Sequence, residues 1–228
     1  MDKDIFKHIE LFNNIKKDNI KKVLNCLKAY EKNYSKKEYI INPGDNIEII
    51  GVVLEGQVNI IKETISGNEI VIANINKFGV FGESYAVLNK DNFPLSVKAT
   101  KSTKILFLEY QKLISTCHNQ CCFHKKLIDN LLKLLAKKNM RLNTRINCVT
   151  KKNIKEKLLF YLIEEMNLID KKTIQIPFNR KELSNYLATN RSSLSRVLSN
   201  LKKKEILDYH KNSFKLLNLE NLKKEINY

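Results

Sequence analysis

The stretch 178–209, FNRKELSNYLATNRSSLSRVLSNLKKKEILDY, contains two runs with helical spacing separated by a short polar break. Leu183 and Leu187 fall on one side of the first run, and Leu194 and Val197 fall on one side of the second. Apolar positions three and four residues apart are typical of amphipathic helices. The stretch therefore predicts two short helices that pack against each other.

The residues around the break predict a sharp turn. Ala188 is small where the chain must turn, and Ser184 is small where the two helices must approach each other. Asn190 can cap the second helix by accepting a hydrogen bond from an early backbone N–H. The following segment EILDYHKNSFKLL predicts two short strands around a turn at His210–Lys211–Asn212. Together these features predict a winged helix-turn-helix.

The second helix is predicted to expose a basic face. No acidic residue lies between Arg191 and Lys204. Arginine can donate two parallel hydrogen bonds to guanine O6 and N7, and hydroxyl groups suit phosphates or bases. The candidate DNA contacts are Asn190, Arg191, Ser192, Ser193, Arg196 and Asn200. The alternative is an ordinary αα-hairpin with a solvated basic face.

The composition is strongly basic. Among 228 residues, 41 are lysine or arginine and 24 are acidic, a net charge of +17. This excess favours a polyanionic partner, either nucleic acid or an anionic membrane, although lysines that only keep the protein soluble are the alternative. The charged N-terminus has no apolar secretion signal, and five cysteines are an odd number. We therefore expect a soluble cytoplasmic protein with reduced thiols.

An all-β unit is predicted over residues 34–109. All six glycines fall between positions 44 and 82, and they separate short β-branched runs. Residues 5–30 are expected to be helical and to pack against this unit. The predicted strands are IEIIGVVL (47–54), QVNIIK (57–62), EIVIANI (69–75), SVKAT (96–100) and ILFL (105–108).

A coiled-coil seam is predicted in the segment that follows. Apolar residues recur there at alternating steps of four and three, which is the heptad pattern. Asn139 occupies an a position, where a single asparagine favours a parallel two-stranded pairing. The sequence therefore predicts a homodimer, and a core helix packed on its own β unit is the alternative. The seam residues are Ile128, Leu132, Leu135, Asn139, Leu142, Ile146 and Val149.

A glycine-rich β-roll, a long dimerising helix and a winged helix-turn-helix in this order resemble the Crp/Fnr family of bacterial transcription regulators. The resemblance covers nearly the whole chain. It implies an α+β fold with a β-roll sensor domain over 1–123, a dimerisation helix over 124–150 and a winged helix-turn-helix over 151–228. It also implies an effector-controlled homodimer on double-stranded promoter DNA, with RNA polymerase as a further partner and no membrane.

The resemblance extends to the DNA-reading positions. Arg191 and Arg196 stand at the two arginine positions of the family, which implies that both contact bases. Ser192 replaces the usual glutamate, so the carboxylate that would accept from a cytosine amino group is missing. The preferred half-site is therefore expected to differ from the best-known one. The half-sites of the near-palindrome are expected one helical turn apart.

The effector region resembles only half of the family's cyclic AMP site. The stretch FGES at 81–84 is similar to the part that holds the ribose, but NFPLSVKAT replaces the Arg-Ser pair that holds the phosphate. No arginine occurs from Met1 to Met140, and a lysine lacks the bidentate fork. Cyclic AMP is therefore disfavoured. Candidate contacts for another effector are Gly82, Glu83, Ser84, Asn139 and Asn143, and the alternative for the first two is that they only preserve a turn.

A dense group of thiols and imidazoles precedes the long helix. Such soft ligands can hold zinc, haem or an iron–sulfur cluster, or they can respond to oxidation. The spacing matches no zinc motif, and inert buried thiols are the alternative. These candidates are Cys117, His118, Cys121, Cys122 and His124.

Two other classes of function are alternatives to a DNA-reading regulator. A cupin-type metalloenzyme needs clustered histidines inside its roll, and no histidine or cysteine lies within 34–109. We therefore expect no enzyme. A basic protein that binds nucleic acid or membranes without reading sequence is the second alternative, and it needs no helix-turn-helix geometry.

Overall fold

The computed structural model describes residues 4–64, 69–89, 92–115, 123–169 and 173–217. The chain divides into two units, Met1–Ala136 and Lys137–Tyr228. The boundary falls inside one long helix.

The first unit begins with helical structure, as predicted for residues 5–30. Two 3₁₀ turns cover Ile5–His8 and Glu10–Phe12, and helix α1 covers Lys17–Cys26. Ile20 and Val23 lie on the buried side of α1. Three further helices follow the strands or interrupt them: α2 (Glu83–Leu88), α3 (Tyr110–Ile114) and α4 (Phe123–Val149).

Eight strands form two four-stranded antiparallel sheets in the described part of the first unit. The sheet order is β1-β8-β3-β6 in one sheet and β2-β7-β4-β5 in the other. The strands are β1 (Tyr30–Tyr34), β2 (Tyr39–Ile41), β3 (Ile49–Glu55), β4 (Gln57–Glu63), β5 (Glu69–Asn76), β6 (Val80–Phe81), β7 (Ser96–Ala99) and β8 (Thr103–Glu109).

The core of the roll is centred on β3, which pairs with β6 on one side and β8 on the other. Residues 50–54 of this strand are all buried, as a continuous apolar run predicts for a central strand. Gly51 allows the ring of Phe81 to lie against the strand, because a Cβ at Gly51 would overlap that ring. Close packing of this kind leaves no room for a larger residue.

The roll differs from the purely β unit predicted over 34–109. It starts at Tyr30 rather than near residue 34, and it contains α2 directly after β6. Gly82 makes this change of direction, because its φ of +81° lies in the left-handed region that glycine adopts without strain. The short strands β1, β2 and β6 were missed because pairing with neighbours, not local pattern, defines them.

The second unit contains the rest of α4 and the predicted winged helix-turn-helix. A three-stranded antiparallel sheet with the order β10-β11-β9 contacts α5 through β9 and α7 through β10. These elements are α5 (Ile154–Ile169), β9 (Thr173–Gln175), α6 (Arg180–Tyr186), α7 (Arg191–Lys203), β10 (Leu207–His210) and β11 (Ser213–Leu216). The α+β class, the β-roll, the long helix and the wing are thus confirmed.

Candidate functional site

The turn between α6 and α7 has the geometry that its residues predicted. Ala188 adopts a left-handed φ of +49°, which its small side chain tolerates better than a branched one would. The backbone N–H of Thr189 donates to the carbonyl of Ser184 at 2.9 Å and closes the turn. Ser184 is buried, and its hydroxyl donates to the carbonyl of Lys181 at 2.8 Å. The small side chain therefore lets the helices meet without leaving a polar group unsatisfied.

Both helices of the motif begin at an asparagine cap. The side chain of Asn179 accepts from the backbone of α6, and Glu182 reciprocates, which completes a capping box. Asn190 Oδ1 accepts from the backbone N–H of Ser193 at 2.8 Å, as predicted. The hydroxyl of Ser192 donates to the same oxygen at 2.9 Å. The start of α7 is therefore fixed, and the Ser192 hydroxyl proton is directed at the cap.

One side of α7 is buried in the core of the second unit. Leu194, Leu198 and Leu201 are buried at helical spacing, and Val197 is only partly buried. Leu183 and Leu187 of α6 are buried in the same core. These contacts fix the rotation of α7 about its axis and hence the direction of its opposite side.

The opposite side of α7 carries the predicted DNA contacts in exposed positions. Ser192, Arg196 and Asn200 follow one another at intervals of four residues, and all three are exposed. Arg191 is exposed at the first position of the helix. Of the six candidates, Ser193 alone is partly buried, and Asn190 is exposed but serves as the cap.

The wing is held by contacts that the sequence did not reveal. Arg180 lies with its guanidinium carbon 5.0 Å from the ring centroid of Tyr209 and 5.6 Å from that of Phe214. Its Nη2 donates to the carbonyl of Lys211 in the wing turn at 3.3 Å. Burial lowers the pKa of Arg180, and the nearby charge of Arg191 acts in the same direction. Arg180 thus anchors the wing close to the start of α7.

Two further contacts fix the wing turn and its first strand. The side-chain amide of Asn212 donates to the carbonyl of Ile176 at 3.0 Å, and the Ile176 backbone N–H donates to the carbonyl of Asn212 at 2.9 Å. Lys202 forms an ion pair with Asp208 at 2.6 Å. The wing therefore belongs to the same rigid arrangement as the helices.

The candidate effector residues of the roll lie at the start of α2. Gly82 is the N-cap, and Glu83 is buried with only 4% of its surface exposed. The hydroxyl of Ser84 donates to Glu83 Oε1 at 3.3 Å. Asn139 and Asn143 belong to the second unit, where both are exposed and where Asn143 Nδ2 donates to Asn139 Oδ1 at 2.9 Å.

Among the described residues, those at the positions expected to hold the phosphate of a cyclic nucleotide do not fit it. Phe93, in the place expected for the arginine, is buried, and its ring meets that of Tyr85 edge to face at a centroid distance of 4.6 Å. Lys98 pairs with Glu69 at 2.7 Å and lies 4.7 Å from the ring centroid of Tyr39. An aromatic ring cannot neutralise a phosphate, and this lysine already has an acidic partner.

Four of the five predicted metal or redox candidates, Cys117, His118, Cys121 and Cys122, lie outside the described residues. The fifth, His124, is buried in the first turn of α4. Within the residues that the structure does describe, no group of three or more metal-binding side chains occurs.

The predicted seam forms an apolar stripe along α4, defined by the seven seam residues of the heptad pattern. Leu132, Leu142 and Ile146 expose 61%, 60% and 56% of their surfaces, and Asn139 is exposed between them. Ile128 and Leu135 are partly buried against the core of the first unit, and Val149 is partly buried.

A second face of α4 packs on the roll. Leu127, Leu131 and Leu134 are buried there, and Asn130 Nδ2 donates to the carbonyls of Leu11 at 3.0 Å and Asn13 at 2.9 Å. Such packing was the alternative to the seam when only the heptad pattern was considered. In the structure the core packing also covers part of Ile128 and Leu135 but leaves Leu132, Asn139, Leu142 and Ile146 of the stripe exposed.

Comparison with known families assigns a domain to each unit. Residues 31–120 match the cyclic nucleotide-binding domain, and residues 156–225 match the Crp-like helix-turn-helix domain. No curated protein matches the chain at a significant level. In the described residues no helix is long and apolar enough to cross a membrane.

Solved structures share the fold at low sequence identity. FixK2 from Bradyrhizobium japonicum is 20% identical, with a TM-score of 0.55 over 86% of this chain and 96% of that chain. The c-di-GMP-responsive global regulator CLP of Xanthomonas campestris is 16% identical, with a TM-score of 0.60 over 89% and 100%. A CooA variant from Carboxydothermus hydrogenoformans is 22% identical, with a TM-score of 0.56 over 90% and 94%.

Proposed function

Since the chain belongs to the Crp/Fnr family of transcription regulators, with the cyclic nucleotide-binding and Crp-like helix-turn-helix domains in tandem, we propose that it binds a near-palindromic promoter site as a homodimer. The controlling signal is an effector or a redox event other than cyclic AMP. Proteins of this family are DNA-binding regulators, not enzymes. We assign the sensor to residues 1–123, the pairing helix to 124–150 and the reader to 151–228.

The observation that carries this proposal is the exposed basic side of α7. Its buried leucines fix the rotation of the helix, so Arg196 and Asn200 point away from the core. Arg191 stands at the N-terminal end, which in helix-turn-helix proteins contacts the base edges. The wing, anchored through Arg180, lies beside this helix, where it can contact the flanking backbone.

Pairing through α4 is supported by the exposure of its apolar stripe. Isolated apolar side chains on a surface need no explanation, but a row of them on one helix face marks an interaction site. Leu142 and Ile146 gain burial if a second copy of α4 lies alongside. Asn139 within the stripe favours a parallel pair, and a parallel pair brings two reading helices to the same side.

The roll is expected to bind its signal without a phosphate-binding arginine. Phe93 stands at the position where the family has its phosphate-binding arginine, and its ring packs edge to face on Tyr85, while Glu83 is buried directly after the turn at Gly82. The signal is then a small effector other than cyclic AMP, or it is sensed through haem, an iron–sulfur cluster or the oxidation of a thiol.

Cyclic AMP is expected to leave thermal stability unchanged. At 1 mM nucleotide, a dissociation constant above about 1 mM corresponds to less than about 0.4 kcal/mol of stabilisation, or roughly 1 °C. Differential scanning fluorimetry of the reduced full-length protein measures this shift, and a cyclic AMP-binding member of the family is the positive control. A calorimetric dissociation constant in the micromolar range would contradict the assignment.

Control of DNA binding is proposed to act through the paired helices. An effector that prefers one arrangement of the two copies of α4 shifts the population of dimers whose reading helices match the site. The bound dimer would act on RNA polymerase at the promoter, in the cytoplasm where the DNA lies. Equal promoter affinity in every effector and redox state would count against this coupling.

Competition binding tests the proposed function directly. The full-length protein is bound to a labelled fragment of the promoter of its own gene and challenged with excess random DNA. A sequence-reading regulator retains the fragment, because specific sites typically bind 10³–10⁷-fold more tightly than random sites. If random DNA displaced the promoter fragment as readily as it displaced a labelled random fragment, the protein would be a non-specific basic binder instead.

A further inference from the structure

The fold brings a cysteine and a histidine together from distant parts of the chain. Cys26 is the last residue of α1, and His124 lies in the first turn of α4, 98 residues later. Cys26 Sγ lies 3.7 Å from His124 Nε2, which is within hydrogen-bonding distance for sulfur. His124 is buried, whereas Cys26 is partly exposed, so the pair lies at the edge of the core rather than deep within it.

The contact with His124 supplies one feature that makes a thiol reactive, and the sequence around both residues is basic. An imidazole at this distance can accept the thiol proton, and the thiolate is the nucleophilic form of cysteine. Positive charge close by favours the thiolate, and lysines flank both partners in the sequence, with Lys22 one helical turn before Cys26 and Lys125 directly after His124.

We propose that Cys26 is a peroxide-reactive thiol activated by His124. The thiolate sulfur attacks one oxygen of hydrogen peroxide, so that an S–O bond forms and the O–O bond breaks. The departing hydroxide takes up the proton held by the His124 imidazole and leaves as water. The sulfur loses two electrons and becomes a sulfenic acid, while the peroxide is reduced. Reaction with an alkylating agent follows the same first step.

Cys148 is the matched control within the chain. It is fully buried in the second unit, and its Sγ donates to the carbonyl of Lys157 at 3.1 Å. Burial raises the pKa of Cys148 to about 11, so almost none of it is thiolate at neutral pH. A buried neutral thiol is inert as long as the protein stays folded.

Oxidation of Cys26 would change its contact with the helix that carries the apolar stripe. A sulfenic acid would replace the thiol whose sulfur lies 3.7 Å from His124 Nε2, at the contact between α1 and the first turn of α4. The reactivity of Cys26 does not depend on DNA binding. The inference can therefore fail or hold independently of the proposed function.

Alkylation rates on the reduced full-length protein test the inference without any variant. At neutral pH, Cys26 is expected to react with iodoacetamide at least about threefold faster in the folded chain than in the urea-unfolded chain. Activation raises the thiolate fraction more than it lowers the intrinsic nucleophilicity. Peptide mass spectrometry follows each cysteine separately. A slower reaction of Cys26 in the folded chain would overturn the proposal.

A variant separates activation by His124 from simple exposure. His124→Gln is expected to bring the folded-state rate of Cys26 down to its unfolded rate. Cys148 should stay protected in the second unit, and circular dichroism with thermal unfolding should show that the first unit, which holds both Cys26 and His124, is still folded. Peroxide followed by dimedone should label Cys26 and should fail to label that peptide in Cys26→Ser. An unchanged Cys26 rate in His124→Gln, with both units still folded, would also contradict the proposal.

Discussion

Replacing Arg196 by alanine is expected to lower selective binding to the promoter site strongly. Arg196 is exposed at the middle of the outer side of α7, and a bidentate contact to guanine is worth about 1–3 kcal/mol. Two copies in a dimer give about 2–6 kcal/mol, or roughly a 30-fold to 10⁴-fold loss of affinity. Fluorescence anisotropy with promoter and random duplexes at one salt concentration measures this loss.

The matched control is Lys203→Ala, which removes one exposed positive charge from the last turn of the same helix. If Lys203 binds a phosphate, its removal should weaken binding to both duplexes about equally and leave their ratio unchanged. Arg196→Lys keeps the charge but lacks the planar fork. Its preference for the promoter duplex should therefore fall between that of the unmodified protein and that of Arg196→Ala. If Arg196→Ala lowered affinity for both duplexes by the same factor, Arg196 would not read bases.

Replacing Leu142 by glutamate is expected to convert the dimer into monomers. Leu142 lies at a d position of the apolar stripe, where its two copies would meet in a parallel pair. Loss of two buried leucines costs about 3–6 kcal/mol, and two carboxylates facing each other add repulsion. Sedimentation velocity at micromolar concentration should show a species of about 27 kDa in place of one twice that mass, since the chain mass is 26.6 kDa.

Met140→Glu is the control for this change. Met140 is as exposed as Leu142, 66% against 60%, and lies on the same helix, but it falls outside the stripe. The dimer should therefore persist in Met140→Glu. Because both side chains are exposed in the protomer, neither substitution should lower the stability of the fold itself. Equal effects of the two substitutions would show that the copies do not pair along this stripe.

The sequence was sufficient to predict the reading motif because its geometry is local. The apolar spacing of α6 and α7, the cap at Asn190 and the small residue at Ala188 all act within a few residues of themselves. The wing was predictable for the same reason, since a tight turn separates two short apolar runs.

The features that the sequence did not predict depend on contacts between distant segments. Strand β9 has three residues, and it is a strand only because β11 lies beside it. Arg180 precedes its wing contacts by about thirty positions, so no local pattern reveals them. Packing of α4 on its own β unit was foreseen only as the alternative to the seam. The sequence did not predict that one helix does both, because Asn130 bonds to backbone carbonyls more than a hundred residues earlier in the chain.

In the effector region the sequence predicted which residue types are present but not how they pack. The replacement of the phosphate-binding arginine was visible from the sequence, but the burial of Phe93 against Tyr85 was not. Likewise, Cys26 stood apart from the other thiols in the sequence, and only the fold places it against His124. Neither arrangement follows from the local pattern of one segment.

Selection of bound sequences from a random duplex library tests the central claim most directly, because it tests pairing and reading together. The structure and its proposed dimer predict an enriched inverted repeat with half-sites centred about 10 base pairs apart, one helical turn of DNA. The full chain is used, with Arg196→Ala as the control that should enrich the repeat much more weakly and lose the preference at the base that Arg196 contacts. Enrichment of a single unrepeated motif, or of no motif at all, would contradict a dimer that reads DNA with two copies of α7.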